Sequence, residues 1–150
     1  MEQLKFVFIV LLINANWVIS QSRHNLDCPF NGSNFCQWIP RGNWQSLNGS
    51  SMITVGEESV ITSKIIDSSQ NFCFTIVYKL SGPSPSLDVF YETPKHIQLL
   101  SDTKTTDYWV TGSATVAQGE SISYFSVIGH ATRLQDSVAI KSIATKAGDC

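Results

Sequence analysis

The clearest pattern along the chain is an alternation of apolar and polar side chains over residues 72–80. Large apolar groups take every second position, namely Phe72, Phe74, Ile76, Tyr78 and Leu80. Thr75 and Lys79 lie between them. Because successive side chains of a β-strand point to opposite faces, this period of two predicts a strand with one buried face and one exposed face.

A second strand is predicted directly after this one. Residues 81–86 are rich in the turn formers Gly, Pro and Ser, and the apolar alternation resumes over residues 87–92. Pro94 then closes the segment. Two alternating segments separated by a short turn are typical of an antiparallel hairpin, so we expect residues 72–80 and 87–92 to pair.

Short alternating segments continue through the rest of the chain. Gly, Asp, Asn or Gln clusters bound further strand candidates at residues 59–66, 96–100, 108–116, 121–128 and 137–143. No window of eleven residues shows a convincing helical period. Many short strands without crossover helices predict an all-β fold, an antiparallel jelly-roll β-sandwich whose connections mostly cross between the sheets.

The predicted core consists of bulky residues on the apolar faces of these strands. The candidates are Phe74, Ile76, Tyr78, Leu87, Val89, Ile122, Tyr124, Val127 and Ile140. The tryptophans Trp38, Trp44 and Trp109 are also expected to pack rather than bind, because large aromatic side chains supply most of the apolar area in small cores.

The first twenty residues have the pattern of a secretory signal peptide. Lys5 precedes the apolar run 6–13, and Val18 and Ser20 are small enough for cleavage after Ser20. An uncleaved membrane anchor is the alternative, but the apolar run falls short of the roughly 20 residues that span a bilayer. We therefore expect a signal at 1–20, a short lead at 21–26 and one secreted, extracellular domain at 27–150 with no membrane span.

Charge and length narrow the function classes. The 150 residues suit one domain, and 10 basic side chains face 12 acidic ones. Nucleic acid is not an expected partner, because no basic run provides the positive field that phosphate backbones require.

Four cysteines lie beyond the signal, at Cys28, Cys36, Cys73 and Cys150. An even number in an exported chain predicts two disulfides, and spacing alone leaves three pairings open. None of the spacings matches a zinc knuckle. Two sequons, at Asn31 and Asn48, predict N-glycosylation, with Asn48 the more accessible acceptor because Asn31 lies between two cysteines.

No catalytic motif or cofactor site emerges from the sequence. A His-Glu-x-x-His pair is absent, and the segment around Ser84 lacks the last glycine of a Gly-x-Ser-x-Gly elbow. A secreted enzyme using His96 or His130 remains an alternative without a motif in its favour. We expect no catalytic residue and no cofactor.

The order of several short motifs resembles the MAM domain, a family named for meprin, neuropilin and the receptor tyrosine phosphatase mu. The matching residues span 27–150 and comprise Cys28-Pro-Phe-Asn31, Phe35-Cys36-Gln-Trp38, Asn43-Trp44, Phe72-Cys73 to Tyr78, Gly82, Leu87 to Val89, Trp109, Phe125 to Gly129, Val138 to Ile140 and Gly148-Asp-Cys150.

This resemblance implies a jelly roll with Cys28 bridged to Cys36 and Cys73 bridged to Cys150. It also implies a non-catalytic adhesion module that binds an extracellular protein, a glycoprotein or a second copy of itself without a covalent link. Two departures concern cation ligands: Asn31 replaces the family's early glutamate, and residues 139–143 lack its paired aspartates. We therefore expect no metal site.

The segment between Trp44 and Cys73 is also short for the family, so its adhesive surface is in question here. The alternative function is a lectin-like jelly roll that binds carbohydrate. Its candidate stacking aromatics are Trp44, Tyr91 and Trp109.

Overall fold

The computed structural model describes residues 26–31, 33–49, 51–66, 71–117 and 123–150. Ten strands occur in this part of the chain: β1 (Ile39–Arg41), β2 (Gln45–Leu47), β3 (Ser51–Val55), β4 (Glu58–Thr62), β5 (Phe72–Ser81), β6 (Ser86–Glu92), β7 (His96–Asp102), β8 (Val110–Val116), β9 (Tyr124–His130) and β10 (Ser137–Ala147). These described residues form no helix, and therefore no helix among them could cross a membrane. The predicted signal peptide, and the lead except Leu26, lie outside the described residues.

The strands form two antiparallel five-stranded sheets. The front sheet has the order β1-β4-β9-β6-β7, and the back sheet has the order β2-β3-β10-β5-β8. Among these ten strands, only two pairs that follow each other along the chain are also neighbours in one sheet: β2 with β3, and β6 with β7. The predicted jelly-roll sandwich, with connections that mostly cross between sheets, is confirmed.

The core lies between the sheets and follows the alternation that the sequence predicts. Phe74, Ile76, Tyr78 and Leu80 of β5 are all buried. From the opposite sheet, the ring of Phe125 stacks on Phe74 with centroids 4.8 Å apart. The other confirmed core candidates are Leu87, Val89, Val127 and Ile140.

The predicted hairpin between residues 72–80 and 87–92 is wrong. β5 belongs to the back sheet, and its neighbours there are β10 and β8. β6 belongs to the front sheet and pairs instead with β7 and β9. Both strands have one apolar face, so each packs that face against the other across the core instead of sharing an edge.

Three strands near the amino terminus were not expected from the pattern. β1, β2 and β3 are only three to five residues long, too short for a convincing alternation. The β2–β3 connection contains Asn48 and Gly49, both with positive φ, of 52° and 70°. An Asn-Gly pair of this kind favours a tight hairpin turn, so the sequence did carry a local signal for β2 and β3.

Tyr124 is a second correction. Its side chain is 40% exposed, while Phe125 beside it is fully buried. Apolar residues occupy both alternating sets of this segment, and pairing with β4 and β6 turns the set of Phe125 and Val127 inward. Ile122, the other core candidate here, lies outside the described residues.

Two disulfides are present among the described residues. Cys28 is bonded to Cys36, and Cys73 on β5 is bonded to the terminal Cys150. This is the pairing that the MAM resemblance implies. The second bond joins residues 77 positions apart, so it ties the carboxyl-terminal end of the chain to the back sheet.

Candidate functional site

The outer face of the front sheet carries a group of polar and aromatic side chains that point away from the core. We call it the front face. Register and alternation place the following side chains on it: Glu58, Val60, Thr62, Ser86, Asp88, Phe90, Glu92, His96, Gln98, Tyr124, Ser126, Ile128 and His130.

Strand β6 supplies the middle of this face. Leu87, Val89 and Tyr91 are buried in the core. The residues between them therefore project outward, and these include Asp88 and Phe90. A strand with strict alternation thus positions an acid and an aromatic ring on one surface.

An aromatic pair occupies one part of the front face. The imidazole of His96 stacks on the ring of Phe90, with centroids 4.0 Å apart and planes inclined by 25°. His96 Nδ1 lies 2.6 Å from Glu92 Oε2, which holds the imidazole over Phe90. The Glu92 side chain is only 14% exposed, while that of His96 is 58% exposed.

A polar network lies on the other side of Phe90. Gln98 Nε2 donates to Asp88 Oδ1 at 2.9 Å. Asp88 Oδ2 is 3.2 Å from His130 Nε2, and the other imidazole nitrogen is 2.8 Å from Glu58 Oε2. The Asp88 side chain is 16% exposed, and partners on two neighbouring strands, Gln98 on β7 and His130 on β9, hold its carboxylate in place.

Apolar and phenolic groups complete the surface. Val60 and Ile128 are half-buried cross-strand partners between the polar clusters. Tyr124 lies beside Glu92, its partner on β6. The face therefore combines flat aromatic surface with fixed hydrogen-bonding groups, an arrangement suited to ligands that have both apolar faces and hydroxyl groups.

The prediction of sugar-stacking aromatic residues is wrong for two of its three candidates. Trp44 is 9% exposed and Tyr91 is 2% exposed, so neither offers a ring to a ligand. The Tyr91 hydroxyl donates to Ser123 Oγ at 2.8 Å within the core. Trp109 is half-buried beside β8, on the opposite side of the molecule from the front face.

The two candidate catalytic histidines are not brought together. His96 lies opposite Glu92 at one end of β6, and His130 lies opposite Ser86 at the other. The ion-pair partners described for both imidazoles are carboxylates. In the described ranges, no group of three or more His, Cys, Asp and Glu side chains could hold a metal ion.

The sequence prediction missed Asp88, Phe90 and Gln98 as site residues. The sequence does indicate that Asp88 and Phe90 face outward, because they alternate with three apolar residues. Gln98 is harder to recognise, since a bulge in the β6–β7 pairing shifts its register relative to β6.

Both predicted glycosylation acceptors, Asn31 and Asn48, are exposed. Asn48 lies in the β2–β3 turn, and Asn31 lies between the bonded Cys28 and Cys36. Gly32 and Ser50, which belong to the two sequons, are outside the described residues. Glycosylation at either asparagine stays a prediction.

Several solved structures share this fold at low sequence identity. The CBM22-1 xylan-binding domain of Paenibacillus barcinonensis Xyn10C aligns with a TM-score of 0.63 at 12% identity, covering 83% of this chain and 94% of that one. TmCBM61, solved with β-1,4-galactotriose, aligns with a TM-score of 0.60 at 9% identity, covering 77% and 91%.

A third structure of similar fold is the K1 cleaved adhesin domain of Lys-gingipain from Porphyromonas gingivalis. It aligns with a TM-score of 0.63 at 12% identity and covers 83% of this chain and 98% of that domain. At these identities the similarity establishes a shared fold. No family model matches the sequence, and no curated protein matches it, so membership in the MAM family stays a prediction.

Proposed function

We propose that this protein is a secreted, non-catalytic carbohydrate-binding module whose front face holds a neutral oligosaccharide or polysaccharide. The observation that carries the proposal is the half-buried ring of Phe90, flanked by the shielded carboxylates of Asp88 and Glu92 and the amide of Gln98.

Sugar chemistry explains why this arrangement fits. A pyranose ring presents apolar C–H groups on its faces and hydroxyl groups around its edge. His96, which stacks on Phe90, and Tyr124 offer ring surfaces for the former. Asp88 and Gln98 offer acceptors and donors for the latter, and hydrogen bonds to a charged carboxylate are stronger than neutral ones.

The charge of the front face indicates which sugars it would hold. Glu58, Asp88 and Glu92 are its carboxylates, and they would repel a sulfated or carboxylated chain. Two fold neighbours support a neutral ligand, since one is a xylan-binding domain and the other was solved with a galactotriose. The disulfides support export, because such bonds persist in oxidising compartments.

A glycan array probed with the purified protein tests the proposal, followed by calorimetric titration of the best neutral oligosaccharide. We expect Tyr124→Ala and Asp88→Asn each to weaken binding about tenfold, the effect of losing one stacking or charged hydrogen-bonding contact. Both positions are on the surface, so thermal melting should show that the variants remain folded.

Thr105→Ala is the matched control, because Thr105 is exposed in the β7–β8 connection, outside the strands of both sheets. Its affinity for the oligosaccharide should equal that of the wild type. A wild-type protein that binds no glycan, or a Tyr124→Ala/Asp88→Asn double variant with full affinity, would exclude the front face as a sugar site.

Recognition of an extracellular protein, as the MAM resemblance implies, is the second candidate function. The similarity to an adhesin domain favours it. Protein-coated beads that cluster, combined with an array on which no glycan binds, would establish this second function in place of the first.

A further inference from the structure

The charged residues of the two sheets are segregated by sign. On the strands of the back sheet, every Lys, Arg, Asp or Glu is a lysine: Lys79, Lys141 and Lys146. On the strands of the front sheet, the acids Glu58, Asp88, Glu92 and Asp102 face a single Arg41. A chain with nearly balanced charge therefore has one basic and one acidic sheet.

One of these lysines contacts an aromatic ring, and a second lies on the adjacent strand. Lys79 points outward from β5, because Tyr78 and Leu80 on either side are buried in the core. Lys141 lies in the bulge between Ile140 and Ser142, and its Nζ is 5.8 Å from the centroid of the Trp109 ring. Trp109 directly precedes β8, one position beyond the Tyr78–Val110 pair, and Lys79 directly follows Tyr78 on β5.

The bulge in β10 determines the position of the Lys141 side chain. A β-bulge bends its strand and redirects one side chain. Here it leaves Lys141 without a cross-strand partner in β5, and its ammonium reaches toward the indole of Trp109. The electron-rich face of an aromatic ring attracts a cation, which favours this position of the lysine.

In the part of the chain that the structure describes, no carboxylate forms an ion pair with Lys79 or Lys141. In the described ranges, every salt bridge joins a histidine to a carboxylate on the front face. Nearby on the same outer surface, β5 and β8 present a row of hydroxyl groups. Thr75 and Ser113 are cross-strand partners, and Thr111 and Thr115 flank Ser113 along β8.

We propose that the outer face of the back sheet is a second binding site, which takes an anionic polysaccharide across Trp109, Lys79 and Lys141. Sulfate or carboxylate groups of the chain pair with the two ammonium groups, and a sugar ring packs on the exposed part of the indole. The threonine and serine hydroxyls hydrogen-bond the neighbouring sugar units.

The chemistry favours a polysaccharide over a nucleic acid or a protein. Nucleic-acid interfaces use extended basic surfaces on which many Lys and Arg side chains cluster, whereas the strands of this face carry only three lysines. The centre of a stable protein interface is depleted of charge, while the Lys141 ammonium lies over Trp109 here and Lys79 lies on the adjacent strand. The site is separate from the front face, so it does not depend on the proposed function.

The experiment measures binding of the full mature protein to heparin, a sulfated polysaccharide, and to polygalacturonate, a carboxylated one. Dextran serves as a neutral comparison. The variants are Lys79→Gln/Lys141→Gln and, as a charge-matched control, Lys64→Gln/Lys95→Gln, whose lysines are exposed outside both sheets. Thermal melting checks that each is folded.

We expect heparin to bind at low salt and to be released as ionic strength rises, because screening weakens exposed ion pairs. Losing two such pairs should weaken binding about tenfold in Lys79→Gln/Lys141→Gln. The control pair should bind like the wild type, and Trp109→Phe should bind more tightly than Trp109→Ala. Binding to heparin alone supports the site with sulfate as its anion, and binding to both probes supports either anion.

Three outcomes would overturn the proposal. The wild type could bind neither anionic probe at low salt, or the control pair could lose as much affinity as the test pair. The third is self-association in sedimentation experiments that Lys79→Gln/Lys141→Gln abolishes, without polysaccharide binding. Tyr124→Ala should keep full heparin affinity, so a failure of the front-face proposal is distinguishable from a failure of this one.

Discussion

At the scale of single residues, Asp136 shows how one buried side chain joins two loops. Its carboxylate accepts hydrogen bonds from the Ser84 backbone at 2.9 Å, and from the Ser84 hydroxyl and the Arg133 backbone at 3.2 Å each. The residue is fully shielded from solvent. It therefore ties the β5–β6 connection to the β9–β10 connection at one end of the sandwich.

The same hydrogen bonds make stability depend on pH. Burial by itself raises the pKa of Asp136, but the donors on Ser84 and Arg133, with the Arg133 charge, leave its pKa below the ordinary value. A carboxyl with a lowered native pKa stabilises the fold fully above its unfolded pKa of about 3.9. That contribution is lost as pH falls through the native pKa.

We therefore predict that Asp136→Asn is less stable than the wild type at pH 7 and loses less stability on acidification. Urea unfolding midpoints measured from about pH 7 to about pH 2 provide the check, across the range in which carboxyl groups titrate. Asp107→Asn is the control, since Asp107 is exposed. Parallel acid dependence in Asp136→Asn and the wild type would contradict this role.

Gly82, which contacts Asp136, is a second residue with a specific requirement. Its φ of +112° is one that side-chain-bearing residues rarely adopt. A Cβ at this position would also lie 2.6 Å from Asp136 Cα and clash with the Gln135 carbonyl. Because two of the three atoms that the Cβ would meet belong to the backbone, side-chain rotation alone cannot relieve the overlap.

We predict that Gly82→Ala destabilises the fold by about 3 kcal/mol, from backbone strain and overlap together. Gly49→Ala is the matched control: its φ is also positive, at +70°, but nothing lies within 4 Å of the added Cβ. That variant should lose only about 1 kcal/mol. Equal losses of unfolding free energy in the two variants would show that the overlap is unimportant.

At the scale of elements, strand alternation was the most reliable signal in the sequence. β5 and β6 were recognised within one residue of their observed bounds, because each has a strict apolar face. Tyr124 was assigned to the wrong face, because β9 has apolar residues in both alternating sets. Which set turns inward depends on pairing with β4 and β6, which the segment itself does not specify.

The disulfides also act at this scale, and their loop sizes differ greatly. The Cys28–Cys36 bond closes a separation of 8 residues, and the Cys73–Cys150 bond one of 77. In the chain-entropy model, these loops correspond to about 2.5 and about 4.5 kcal/mol. The larger value approaches the whole stability of many small domains, about 5–15 kcal/mol.

We predict that Cys73→Ser/Cys150→Ser lowers the unfolding free energy about 2 kcal/mol more than Cys28→Ser/Cys36→Ser does. Equilibrium denaturation of the two double variants beside the wild type measures the difference. Each double variant is the control for the other, since both lose one bridge and gain two serines. A larger loss from the short loop would contradict the entropic account.

At the scale of the whole molecule, the sandwich separates two surfaces that the linear sequence interleaves. Asp88 and Glu92 follow Lys79 by only 9 and 13 positions, yet they project from opposite sides of the domain. This separation arises because β5 and β6 lie in different sheets. The proposed neutral-glycan and anionic-glycan sites can thus be varied independently, as their experiments require.

Local patterns in the sequence are enough to predict the all-β class, the main strands, most of the core and an even number of cysteines. These features follow from the local periodicity and composition of each segment, which do not depend on where the segment lies in the fold. The Asn-Gly turn between β2 and β3 was equally local and could have been recognised.

Which strands are neighbours follows only from the tertiary fold. Strand pairing also decides which side chains meet in the candidate site. The contacts of Asp88 join β6 to the next strand, β7, through Gln98 and to the distant strand β9 through His130. The burial of Trp44 and Tyr91, and the proximity of Lys141 to Trp109, likewise depend on sheet assignment. The physical reason is that an apolar strand face is satisfied by any apolar partner, so pairing is selected by the packing of the whole core.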